Sequence, residues 1–303
     1  MKTILSPAFA APASATQTAN DEWGTLPEWK LDDLYPGIAS EAFGDDVKWC
    51  LETAATFEDR HAGKLLDTVR KNPRDLALVI SEYEEIEERI GKVLSYAGLV
   101  YAGDSANPDH AKFYGDAQEK MTNAGSHLLF FTLELNQIGS KELDQAIKAD
   151  ASLAYYSPWL EDLRKDKPFQ LEEKLEQLFH EKSITGRGAW NRLFDETMSS
   201  LEFTIDGEGM QVESALNRLQ HEDRTKRQQA ATEISRVLDA NIRTFTLVTN
   251  TLAKDKEISD RWRGFDDIAD SRHLANRVER EVVDALVEAV EGALPAMSHR
   301  YYT

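Results

Sequence analysis

The chain has 303 residues, with 54 acidic side chains against 35 basic ones and a formal net charge of −19. That balance argues against a nucleic-acid partner, which needs clustered Lys and Arg, and it favours a cationic or mixed-charge ligand. Cys50 is the only cysteine, so an intrachain disulfide and a thiolate metal cluster are both excluded, which suits a reducing compartment.

Residues 1–20, MKTILSPAFAAPASATQTAN, read as a disordered Ala/Pro/Ser/Thr tail. A secretion signal is the competing reading. Lys2 gives it a positive start and Ala13-Ser14-Ala15 resembles a cleavage site, but Pro7 interrupts an apolar core that is already short. No run in the chain approaches the roughly 20 apolar residues of a membrane span. Order is expected from Asp21, with Trp23, Leu26 and Trp29 as apolar anchors and Tyr35-Pro36-Gly37 as a turn.

A helix is predicted over 40–62, with Phe43, Val47, Cys50, Leu51 and Ala54 on one side. On that face Cys50 fits a buried, inert thiol better than a nucleophile. Leu65, Leu66 and Val69 continue the helical pattern. Asn72 then caps a long helix with Pro73 at its first position, running to about Gly103. Its apolar residues recur at three-and-four spacing, while Glu82, Glu84, Glu85, Glu87 and Glu88 form a solvated face rather than a calcium loop. After a break at 104–108, a second long helix is predicted from Pro108 to about Leu135, making an αα-hairpin with the first.

A short helix is expected over 143–149, joined through Ala154–Leu160 to a piece that Pro168 ends. Leu171, Leu175, Leu178 and Phe179 mark the next helix. The period then changes. Leu201, Phe203 and Ile205 alternate with Glu202 and Thr204, Asp206-Gly207-Glu208-Gly209 supplies turn residues, and Met210 and Val212 resume the alternation. This predicts a β-hairpin near 201–212 between two helical halves, against the alternative of a loop with chance alternation. One helix is predicted over 225–255, a turn at Gly264-Phe265-Asp266, and a capping pattern at Asn276–Glu279 before a helix carrying Val282, Val283, Leu286, Val287 and Val290. The fold class is therefore mainly α, with long antiparallel helices and one small β-hairpin.

The seven histidines are 61, 110, 127, 180, 221, 273 and 299. A helical zinc hydrolase needs H-E-x-x-H, because four-residue spacing sets both imidazoles on one face and the glutamate can activate zinc-bound water. His180-Glu181 and His221-Glu222 are partial matches, each lacking the second histidine, and both read as bystanders. His110 and His127 read as surface or satisfied core histidines. No phosphate loop, dinucleotide fingerprint or nucleophile elbow is present. Gly186-Arg187-Gly188 reads as a flexible link rather than an anion site.

Several segments, in order, resemble the oligoendopeptidase F family of zinc metallopeptidases: Trp29-Lys-Leu-Asp-Asp-Leu-Tyr-Pro-Gly37, Tyr156-Ser-Pro-Trp-Leu160, Phe194-Asp-Glu-Thr197, Thr251-Leu-Ala-Lys-Asp-Lys256 and Ser298-His-Arg-Tyr-Tyr302. The match reaches the N-terminal half of a typical member. The resemblance implies a cytoplasmic zinc endopeptidase of short peptides, mostly helical, with a deep channel that excludes folded proteins. It also implies zinc ligands in a C-terminal half that this chain lacks. Catalytic, cofactor-binding and metal residues here are therefore expected to be none, and no zinc is expected in this chain.

On this reading 1–20 is a tail, 21–200 an N-terminal helical domain, and 201–303 the hairpin and first helices of a truncated catalytic domain. The expected partners are an oligopeptide and the missing catalytic half, with no nucleic acid and no membrane. A free-standing, non-catalytic helical peptide-binding or interaction module is the other reading. If the chain is a portion, an apolar patch should lie exposed after residue 216.

Overall fold

The computed structural model describes residues 29–302. The expected tail and the expected anchors Trp23 and Leu26 lie outside the described residues. Trp29 is described and is 73% exposed, so it does not anchor the chain. Tyr35 does, fully buried and edge-on to Phe43 and Tyr96 at 5.1 Å from each.

The first helices follow the sequence closely. Helix α1 spans Glu41–His61 and is capped by Ser40, whose hydroxyl accepts from the Phe43 N–H. Helix α2 spans Leu65–Lys71. Helix α3 spans Pro73–Gly103, with the Asn72 side chain accepting from the Arg74 N–H and Pro73 in the first turn, where its missing N–H costs nothing. Helix α4, Pro108–Ser126, is capped in the same way by Asn107 and packs along α3 and α1.

The long second helix is not continuous. It stops at Ser126 and restarts as α5, Leu129–Gln137. Ser126 turns its hydroxyl back onto the Thr122 carbonyl, and the His127 and Leu128 N–H groups reach only three residues back, to Ala124 and Gly125. A serine competing for a helix carbonyl bends the chain here. The bend sends Phe130 and Phe131 into the same core as Phe57.

Helices α6 (Ser140–Ala149), α7 (Ala151–Tyr155) and α8 (Ser157–Asp166) close the bundle. The stretch expected to join two helices is itself helical, because Asp150 caps α7 and Pro158 sits in the first turn of α8. One apolar core runs from Tyr35 to Leu160 through all of these elements. Its centre is the aromatic group of Phe57, Tyr83, Phe130 and Phe131, in tilted and edge-on contacts.

Helix α9, Glu173–Lys182, leads into a wide turn, Ile184–Gly188, and helix α10, Ala189–Ser199. The chain kinks at Gly186, whose dihedrals leave the helical region, so the expected flexible link is a kinked helical turn closed by the Gly188 N–H on the Ser183 carbonyl at 2.9 Å. The β-hairpin follows, with β1 at Phe203–Ile205 and β2 at Glu208–Met210 in antiparallel register, Phe203 opposite Met210. Asp206 and Gly207 both have positive φ, 54° and 82°. That is the two-residue turn whose twist matches the strands. Val212 was expected to continue the strand, but it opens helix α11, Val212–Asn217.

Helix α12 spans Arg224–Ala240 and α13 spans Ile242–Arg263. The single helix predicted here is divided at Asn241, whose side-chain amide donates to the Val237 carbonyl. A second, smaller core of Leu201, Phe203, Ile205, Ala215, Ile234 and Val237 joins the hairpin to α12. Gly264 ends α13 in the left-handed conformation. Helix α14 is Asp270–Ala275, α15 is Arg280–Ala293 and α16 is Ser298–Tyr302. The N-cap of α15 is Glu279 and makes no side-chain cap bond, so the expected capping pattern from Asn276 does not form. The apolar stripe of α15 is exposed, with Leu286 63% open to solvent and Val282, Val287 and Val290 close behind.

Candidate functional site

Four of the histidines have partners of their own. The His61 Nε2 lies 3.4 Å from Glu82 and its ring lies against Phe57; burial pushes its pKa down, and the Glu82 carboxylate pulls it partly back. The His127 Nδ1 is 2.6 Å from a Glu58 oxygen. The His180 Nε2 sits 3.0 Å from the Thr122 carbonyl and against Gly125, where a side chain would crowd the ring. The His221 Nδ1 accepts from the Asp223 N–H.

Each of these histidines is engaged by local structure. Among the described residues, no group of three or more His, Cys, Asp or Glu side chains is placed to hold a metal ion. His180 and His221 lie on separate elements, and the position four residues after each is Ile184 and Thr225. This donor set does not fit a catalytic zinc. Cys50 is fully buried, and burial followed by the Asp46 charge pushes its thiol up to about 11. A thiol so placed is not a nucleophile at neutral pH.

Two hollows remain. The first, about 140 Å³, lies where α1, α4 and α9 meet, and is lined by Glu58, His127, Glu173, Gln177 and Glu181 among others. Its lining carries the Glu58–His127 pair and two further carboxylates.

The second is a wider groove of about 420 Å³ between α10 and α13. Asn191, Phe194 and Asp195 line it from α10. Val248, Thr249 and Leu252 line it from α13. The spacing puts each set on one helix face. Phe194 is 41% exposed and meets Phe245 edge-on at 5.8 Å. Burial raises the Asp195 carboxyl above its ordinary value. Asp255 continues the α13 face one turn beyond Leu252 and lies against Gly186.

Polar contacts hold α13 and the loop after α14 against the bundle side. Arg263 grips Glu176 with two hydrogen bonds, at 2.7 and 2.8 Å. Burial alone would raise the Glu176 carboxyl, but Arg263 and the Leu171 N–H outweigh it and hold the group below its ordinary value. Phe169 stacks on Phe265 at 4.1 Å, and Arg277 grips Asp166 at 2.9 and 3.0 Å. No local sequence pattern marks the groove or these clamps. The Phe194–Thr197 segment carries only the family resemblance, and the clamps join residues about 90 to 110 positions apart, a separation that leaves no local pattern.

A family model described as Oligopeptidase F matches residues 134–203. The curated oligopeptidase PepF of Bacillus subtilis (strain 168) is 25% identical over 286 residues, covering 90% of this chain and 40% of that protein. The crystal structure of oligoendopeptidase-F from Enterococcus faecium superposes with a TM-score of 0.75 at 19% identity, over 86% of this chain and 52% of that one. The chain thus spans about two fifths of the curated relative's length. In sequence and in fold, the chain is similar to the N-terminal portion of the oligoendopeptidase F family.

Proposed function

We propose that this chain is the N-terminal portion of a zinc-dependent, cytoplasmic oligoendopeptidase that hydrolyses short peptides, and that its helices help to wall the substrate channel. The observation that carries the reading is the match of 90% of this chain to 40% of oligopeptidase PepF. In this reading residues 21–200 form the N-terminal helical domain, and residues 201–303 form the hairpin and first helices of the catalytic domain. The chain is not catalytic alone. Its own histidines do not suit zinc, so the metal ligands and the reaction belong to the remainder of the protein, and no step of the chemistry is assigned to a residue here. Two features support the portion: the apolar stripe of α15 has no core of its own, and the second core is small.

The test is to isolate the native protein from its own cells with an antibody raised against this chain. Expected are peptides of this chain together with an H-E-x-x-H segment in one polypeptide, one zinc per molecule, and cleavage of a quenched fluorogenic short peptide but not of a folded protein. A native product of 303 residues that holds no zinc and cleaves nothing would overturn the reading. Peptide binding by that product would identify the free-standing module.

A further inference from the structure

The two apolar cores do not meet. The first ends at Leu160, the second begins at Leu201, and among the described residues none between these two is buried. A seam of that kind is held by the polar contacts that cross it, and halves joined in this way can shift against each other. One edge of the seam is bonded, by the Arg263–Glu176 and Arg277–Asp166 clamps and the Phe169–Phe265 stack. The other edge, where α10 passes α3 and α4, is open. Tyr101, in the last turn of α3, is 6% exposed and belongs to neither core, and its hydroxyl has no hydrogen-bond partner among the described residues. Its ring stacks on Tyr114 of α4 at 5.1 Å. Arg192 of α10 lies against Gly115, the next residue, where a Cβ would come within 2.9 Å of the guanidinium. Burial raises the Tyr101 pKa most, the Glu196 and Asp195 charges add to the rise, and Arg192 opposes it. Those three side chains sit at three- and four-residue spacing on one face of α10. Two carboxylates thus stand within electrostatic reach of a buried donor, and neither bonds it.

We propose that α10 rocks on the kink at Gly186 and seats against the α3–α4 hairpin, the Tyr101 hydroxyl donating to the Glu196 carboxylate while the clamped edge holds. A hydroxyl buried without a partner is costly, and seating replaces that cost with a charge-assisted hydrogen bond. Glu196 is the acceptor because its charge acts on the hydroxyl more strongly than that of Asp195, which also lines the groove toward α13. Arg192, one turn earlier on the same face, offsets the Glu196 charge as water is excluded. The two halves then have two relative positions, one bonded at a single edge and one bonded at both. This device rests on the packing of the chain alone and is independent of the peptidase reading.

The test is hydrogen exchange at the amides of α10 in the whole 303-residue chain. Tyr101→Phe and Glu196→Ala should each speed exchange there at least about tenfold, the factor expected for one hydrogen bond to a charged group. Amides in the middle of α3 should keep their rates. The double variant should exchange no faster than either single one, because both substitutions remove the same bond. Were the hydroxyl to stay without a partner, Tyr101→Phe would lose no bond, and α10 would exchange at the wild-type rate or more slowly; that result overturns the proposal. So does a double variant in which the two effects multiply, since they would then be independent. Glu196 is exposed, so the fold tolerates Glu196→Ala. An unchanged rate in that variant overturns the proposal even if Tyr101→Phe fails to fold.

Discussion

Helices α1–α8 and the segment from the hairpin to α16 are built from similar sequence and end in different physical states. Both carry amphipathic helices with clear apolar stripes. In the first region those stripes meet one another, and Phe57, Phe131, Leu76 and Ile86 lose essentially all exposure. In the second, the hairpin, α11 and α12 close on a small core, while Leu286, Val290 and Ile242 stay open to water. A stripe shows that a helix has a face to bury, not that the chain contains what covers it. Large apolar side chains left in water each forgo roughly 1.5–3 kcal/mol. The two regions should therefore differ sharply in stability.

The largest break in that comparison comes from the aromatic centre. Phe57→Ala removes a fully buried ring that touches four others, and should cost about 3–5 kcal/mol in denaturant unfolding. In hydrogen exchange of the unaltered chain, amides of α3 should be protected about a hundredfold or more beyond those of α15. Equal protection along the chain would remove the distinction between the regions.

Next come the clamps. Both Glu176 and Arg263 are mostly buried, and Glu176→Gln should cost about 2 kcal/mol, below the roughly 3–5 of a fully buried pair. The folded-state carboxyl is held below its ordinary value. Its contribution is thus complete above the unfolded pKa of about 4.3 and is lost as pH falls through the lower folded value. Acid should loosen α13 from α9 in wild type, and Glu176→Gln should remove that step from the pH profile of exchange in α13. A step of the same size in the variant would show that another group governs it.

A smaller effect is expected at the turn. Gly207→Ala places a side chain at φ 82° and should cost about 1 kcal/mol, visible as faster exchange at the Met210 amide with the bundle unaffected. The smallest change in stability is expected from Leu286→Glu, within about 0.5 kcal/mol, because little is packed there to lose. The same substitution should lower self-association in sedimentation, since it breaks the exposed stripe. A large loss of stability would mean that α15 packs more closely than its exposure indicates.

What the sequence by itself determined is local: the mainly α class, the Asn72 cap and the extent of α3 to about Gly103, and a hairpin turned within Asp206-Gly207-Glu208-Gly209. Each rests on a side chain bonding its own backbone or on a glycine supplying a positive φ, interactions that span only a few positions. Tertiary structure alone decided the breaks at His127 and Asn241, the burial of one half's stripes and the exposure of the other's, the Glu176–Arg263 clamp, and the groove that brings Asp195 beside Leu252. An amphipathic pattern is the same whether or not a partner covers it. A continuous helical pattern likewise does not reveal where a serine or asparagine will turn on the backbone, because that choice is set by which neighbours the bend allows the chain to bury.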